Sequence, residues 1–238
     1  MNDLKVRRWA GAFGVAGCVV FLVALPLYFV GPQPTARLED TLQFSDSVSR
    51  ASAFILTRAT LADPLIMAGL LVFLAGFRHL IRKARPDYEW VSALVFGAGL
   101  VVITLELAGD ALQGGAALDT SVKADPSVAR GLFEGSFVFY GAIGLIMSAL
   151  LLASAGYATM ATGVLPRWTG WVAYASAVVN LVAAPSIFGG TDYTGFYTAS
   201  GYVTFIGQGA MAIWFLIASV SMIIVKREAV APTPVYGV

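Results

Sequence analysis

Long apolar runs, cut by short charged or polar stretches, organise the whole chain. Trp9 to Val30 is apolar between Arg8 and Arg37. The run between Asp63 and Arg78 holds only 14 residues, so a span there must reach from about 61 to 81 and let Arg78 snorkel to the interface. A third run follows Trp90 and is interrupted by Glu106 and Asp110. Gly135 to Pro166, Trp168 to Thr191 and Tyr193 to Val225 carry no charge inside them. About 20 helical residues cross about 30 Å of hydrocarbon. The pattern therefore predicts an all-α, polytopic transmembrane bundle of six spans, near 9–30, 61–81, 90–112, 134–160, 168–189 and 202–225. These form one domain, 1–238, with a long extracytoplasmic loop at 31–60. The apolar run after Arg8 is longer than the 7–15 residues of a signal core, which reads as a retained span.

Within loop 31–60, Leu38, Leu42, Val48, Ile55 and Leu56 recur at roughly helical spacing among Glu39, Asp40, Asp46 and Arg50. That predicts an amphipathic segment on the outer surface, able to cover a pocket or meet a partner. Tyr193, Phe196, Tyr197 and Tyr202 read as an aromatic belt at the outer interface.

Charge sets the expected orientation. With a cytoplasmic N-terminus, the inside holds Lys5, Arg7, Arg8, Arg78, Arg82, Lys83, Arg85, Arg167, Lys226 and Arg227, ten of fifteen cations. Arg37, Arg50, Arg58, Lys123 and Arg130 fall outside, on longer loops. This is the positive-inside bias, and Trp9, Trp90, Trp168 and Trp171 fall at the same inner interface. Both termini are expected in the cytoplasm.

Composition narrows the chemistry. The chain is 58% hydrophobic and 12% charged, against roughly 25% charged in soluble domains. A net charge of +1 gives no electrostatic footprint for nucleic acid. Cys18 is the one cysteine and His79 the one histidine, so a disulfide, a cysteine cluster and a multi-histidine metal or haem site are not expected. His79 sits in the basic stretch 78–85 and is read as a headgroup contact. No phosphate-binding, dinucleotide, zinc-protease or nucleophile-elbow motif is present. No cofactor and no metal are expected.

The acidic residues inside or beside the spans are the candidates for function. Glu106 and Asp110 lie four apart, on one helical face. By rise per residue they stand roughly 24 and 30 Å above Trp90. Asp63, Glu134 and Asp192 fall at the same outer end. An ionisable group in hydrocarbon costs several kcal/mol unless paired or hydrated. Arg58 and Arg130 are the cations that topology brings nearest, with Arg130 four residues before Glu134. Glu106, Asp110, Glu134, Asp63 and Asn180 are thus candidate ligand-binding or proton-relay residues, with Arg58 and Arg130 as charge partners. Two readings stay open, an outward polar pocket or carboxylates that lock helix ends. Asn180, Gln208, Tyr140 and Trp214 are the polar-capable residues within the later spans, where interhelical hydrogen bonding accounts for most such groups.

Gly163, Pro166, Arg167, Trp168, Gly170 and Trp171 stand in a G-x-x-P-R-W-x-G-W pattern between the fourth and fifth spans. This resembles the corresponding loop of an uncharacterised family of bacterial six-helix integral-membrane proteins. The resemblance implies the six-span layout and a bacterial inner membrane. It implies no activity and no site residues.

These features predict an integral-membrane accessory subunit of a larger inner-membrane complex, or a lipid- or small-ligand-binding membrane protein, without catalytic chemistry. Membrane lipids and a protein partner are the expected contacts, and the tail 229–238 is read as a segment that a partner would hold. One alternative is a proton- or cation-coupled carrier using the outward carboxylates, although no inverted repeat is evident. A membrane enzyme acting on a lipid-linked substrate is the other.

Overall fold

The structure is a computed structural model and describes residues 3–29, 41–120, 125–190 and 195–224. Arg37, Lys123, Asp192, Tyr193, Lys226, Arg227 and the tail 229–238 lie outside the described residues, as does the first part of loop 31–60. Among the described residues the chain is all-helical: α1 (Asp3–Phe29), α2 (Thr41–Thr57), α3 (Asp63–Ala84), α4 (Glu89–Thr120), α5 (Pro126–Val138), α6 (Gly144–Thr162), α7 (Arg167–Ala183) and α8 (Tyr202–Ile224). A π turn, Arg58–Ala62, joins α2 to α3, and a second, Phe139–Ile143, joins α5 to α6. Six helical stretches are long and apolar enough to cross a membrane, which makes this a multi-pass membrane protein.

Each spanning helix packs on its neighbours in chain order, and the last returns to the first: α1 on α3, α3 on α4, α4 on α6, α6 on α7, α7 on α8, α8 on α1. The result is a closed ring. Small residues permit its tightest crossings. An ideal Cβ on Gly14 would lie 2.1 Å from Ser219 Oγ of α8, and one on Gly76 2.3 Å from Ala10 Cβ of α1. At the ring centre Phe73 meets Phe215 edge-on at 5.0 Å and Trp214 at 6.0 Å.

One end of the ring is rich in cations. Arg78, Arg82, Lys83 and Arg85 gather there with Asp3, Asp87 and Glu89 as partners. Arg7 donates to the carbonyl of Val164 in the α6–α7 turn. The G-x-x-P-R-W-x-G-W residues take specific jobs in that turn. Gly163 closes α6 at φ 65°, a left-handed conformation that favours glycine. Pro166 precedes α7, and Thr169 Oγ1 donates to its carbonyl at 2.8 Å. Gly170 lets α7 approach Met160 and Gly156 of α6. Trp9, Trp90, Trp168 and Trp171 are 54–64% exposed, all on the outer faces of this end.

Three helical rods overshoot the membrane at the other end. The α2–α3 rod is 43 residues long over Leu42–Ala84 and the α5–α6 rod 37 over Pro126–Thr162. Helix α4, with 32 residues, is about 48 Å long. Their ends form a three-helix head around Phe44, Val48, Ile55, Ala116, Phe133 and Phe137, with Phe44 edge-on to Phe133 at 5.6 Å. From Thr41 onward, the segment expected as a surface amphipath is thus a helix packed on α4 and α5. Val48 and Ile55 point into the head, whereas Leu42 is exposed. Phe196 and Tyr202 are exposed at this end as well.

Helix α5 begins at Pro126, with Asp125 accepting from the Ser127 N–H at 2.8 Å. Gly131 lies in its interior with nothing within 4 Å of an ideal Cβ. Gly131→Ala should therefore raise stability by about 0.5–1 kcal/mol through helix propensity alone. Thermal unfolding in mild detergent reads this, and a destabilised variant would contradict the packing of α5.

Candidate functional site

Where the ring meets the head, four elements place polar side chains around one buried guanidinium. In an unbroken α-helix, residues five apart point about 140° away from one another. The π turn changes this for Arg58 and Asp63. The Asp63 N–H bonds the Arg58 carbonyl, so residues five apart stack on one face. Arg58 Nη1 then lies 3.0 Å from Asp63 Oδ2 and 3.4 Å from Asp110 Oδ1 of α4. Its Nη2 donates to Gln113 Oε1. Gln113 passes the chain on, donating to Ser136 Oγ of α5 at 2.9 Å, and Ser136 donates to the Phe133 carbonyl at 2.6 Å.

Two tyrosines complete the shell. Tyr140, in the second π turn, donates to Asp110 Oδ1 at 2.6 Å. Tyr28 of α1 donates to Asp63, and its ring lies 4.9 Å from the Arg58 guanidinium carbon. Arg58, Asp63, Asp110 and Gln113 are all buried. Burying charges this thoroughly is tolerable only when hydrogen bonds compensate them, and here Asp63 is bonded at both oxygens, Asp110 at Oδ1, and Arg58 through both terminal nitrogens. Both π turns border this network, so the breaks in the two long rods coincide with its polar contacts.

Below the network a cavity of about 500 Å³ opens inside the ring. Its floor and walls are apolar, built from Leu70, Leu151, Trp214 and Phe215 among others. Its roof is polar: Arg58, Asp63, Glu106, Gln113, Tyr140 and Gln208. Leu22 of α1 and Ile213 of α8 line the same space and are 59% and 58% exposed. They form the lips of a lateral window between α1 and α8. Toward the cation-rich end, Gly11 and Gly14 hold these helices in contact at Ser219.

The candidate residues are thereby divided. Arg58, Asp63 and Asp110 join in the network. Glu106, one turn along α4, is half-buried and lines the cavity. Glu134 belongs to a different pair, on α5, accepting from Arg130 Nε at 2.8 Å. Asn180 lies off the cavity in α7 and ties it to α8, donating to the Ser176 and Gly207 carbonyls at 2.8 and 2.9 Å. Tyr28, Gln113 and Ser136 belong to the site without a sequence signal that singles them out, apart from Gln113 sharing the α4 face of Asp110 at i+3. Among the described residues, no group of three His, Cys, Asp or Glu side chains gathers as a metal would need. The arrangement can hold an amphiphilic molecule, with apolar surface against the walls and a polar group at the roof. Comparisons of the chain with protein-family models, curated proteins and solved structures each return no match.

Proposed function

We propose that this protein binds a lipid-like or other small amphiphilic molecule within the membrane and performs no catalytic chemistry of its own. The observation that supports this is the cavity with an apolar body, a polar roof and a lateral window. Ligand sites are commonly apolar clefts of 300–1,000 Å³ with few polar groups, and a window facing the acyl chains lets an amphiphile enter without crossing water. The excess of cations and tryptophans at the far end supports a cytoplasmic placement of that end and of both termini. The site then lies in the outer half of a bacterial cytoplasmic membrane. A second reading, a subunit of a larger inner-membrane complex, draws on Leu42 and Phe54, which stand 71% and 46% exposed on α2, where a partner protein would meet them.

Gly209 of α8 supplies the test. It lines the cavity, and an ideal Cβ there has nothing within 4 Å, so a large side chain fills space without a backbone clash. Gly209→Phe should lower the occupancy of any co-purifying small molecule by about tenfold or more, since losing about 1.4 kcal/mol is already tenfold. Its unfolding temperature should stay near that of the wild type. Native mass spectrometry from mild detergent reads the bound mass. A wild-type protein that carries nothing, or a variant that carries as much, would falsify the ligand reading.

A further inference from the structure

The roof has a charge imbalance that says which kind of molecule fits. Arg58 is the one cation in the cavity wall among the described residues. It is already engaged by Asp63, Asp110 and Gln113, and one of its faces is covered by Tyr28. One positive charge thus serves two carboxylates. Glu106 adds a third, and among the described residues it makes no hydrogen bond or ion pair. An incoming anion would find the guanidinium taken and no other cation in the wall among the described residues. An incoming cation would meet a half-buried carboxyl group, without a partner among the described residues, in an apolar-walled space where pairing is stronger than in water. Tyr140 and Phe137, also in the wall, offer ring faces suited to a soft cation.

We propose that the cavity selects a lipophilic organic cation, an apolar body bearing an ammonium-type head, and that Glu106 is the carboxylate that receives the head. This rests on the ligand reading above. The geometry divides the labour: Leu22 and Ile213 admit the apolar body through the window, the aromatic walls hold it, and Glu106 neutralises the charge. Asp63 and Asp110 do not compete for the head, because both oxygens of Asp63 are bonded, to Tyr28 and Arg58, and Asp110 is not among the residues that line the cavity.

The test uses the full chain in phosphatidylcholine nanodiscs and two probes of matched size and opposite charge, labelled tetraphenylphosphonium and tetraphenylborate. Saturable binding of the phosphonium, without saturable binding of the borate, is expected. Glu106→Gln should weaken phosphonium binding about tenfold or more, while Glu106→Asp, which keeps the charge, should retain most of it. Gly209→Phe should abolish it. Equal binding of both probes, lost in Gly209→Phe but unchanged in Glu106→Gln, would overturn the charge selection and leave the cavity reading standing. No binding of either probe that Gly209→Phe removes, with no co-purifying molecule, would overturn both. If Glu106→Gln does not fold, the comparison of the two probes on the wild type still decides the matter.

Discussion

Replacing Arg58 with methionine is expected to destabilise the protein by about 3–5 kcal/mol, the usual cost of removing one partner from a buried ion pair. The side chain is similar in length, so little packing is lost. What is lost is the compensation of two buried carboxylates, Asp63 and Asp110, together with the Gln113 contact. Arg58→Lys should recover only part of the loss. A lysine ammonium is a compact point charge and cannot reproduce the planar fork that reaches two aspartates and an amide at once. The decisive control is the triple variant Arg58→Met, Asp63→Asn, Asp110→Asn. Removing all three charges removes the penalty, so most of the lost stability should return, while the Tyr28 and Tyr140 hydroxyls keep acceptors. Unfolding in a graded SDS series, followed by circular dichroism, measures each step. Equal instability of the single and triple variants would show that the network matters for its shape and not for its charge balance.

The spans are written in the sequence because hydrocarbon imposes a coarse rule: about 20 apolar residues between charges. Boundaries are written less clearly. The 61–81 window stops where apolarity stops, yet the helix continues back to Thr41, because a helix leaving the membrane can bury one face against other protein. Val48 and Ile55 mark that face, and their spacing is helical in the sequence; whether the face meets lipid or α4 and α5 is decided by elements distant in the chain. The π turns carry no residue signature at all. Without the turn at Arg58–Ala62, the five-residue spacing of Arg58 and Asp63 argues against a pair on one face. Local spacing does reveal Arg130 with Glu134, and Gln113 with Asp110. Tyr28 with Asp63, 35 residues apart, is visible only once α1 packs on α3. The cavity is of the same kind, an absence of side chains that seven helices jointly leave.

The crossing of α1 and α3 at Gly69 is a point at which the ring should break readily. An ideal Cβ on Gly69 would stand 2.8 Å from the Phe13 carbonyl oxygen and 3.1 Å from Gly17 Cα. Both neighbours are backbone, so no rotamer change can make room, and the helices must separate. Gly69→Ala should cost about 1–3 kcal/mol, the range for overpacking, and Gly69→Leu should exceed that and deplete folded protein. Gly17→Ala, whose nearest contact is 3.3 Å, should cost less. Gly97→Ala on α4, with nothing within 4 Å, should cost nothing and, like Gly131→Ala, gain up to about 1 kcal/mol from helix propensity. That order across four variants is the prediction, read by thermal unfolding in one detergent. The order has a consequence for the site. Helix α1 delivers Tyr28 to Asp63 and one lip of the window, both beyond this crossing. Prying α1 from α3 at Gly69 therefore loosens the roof network and widens the window together. Gly69→Ala should weaken binding of the cavity's occupant even under conditions where the protein remains folded, whereas Gly97→Ala should leave it unchanged. Equal binding in both variants would mean that α1 holds its place by contacts to α8 alone.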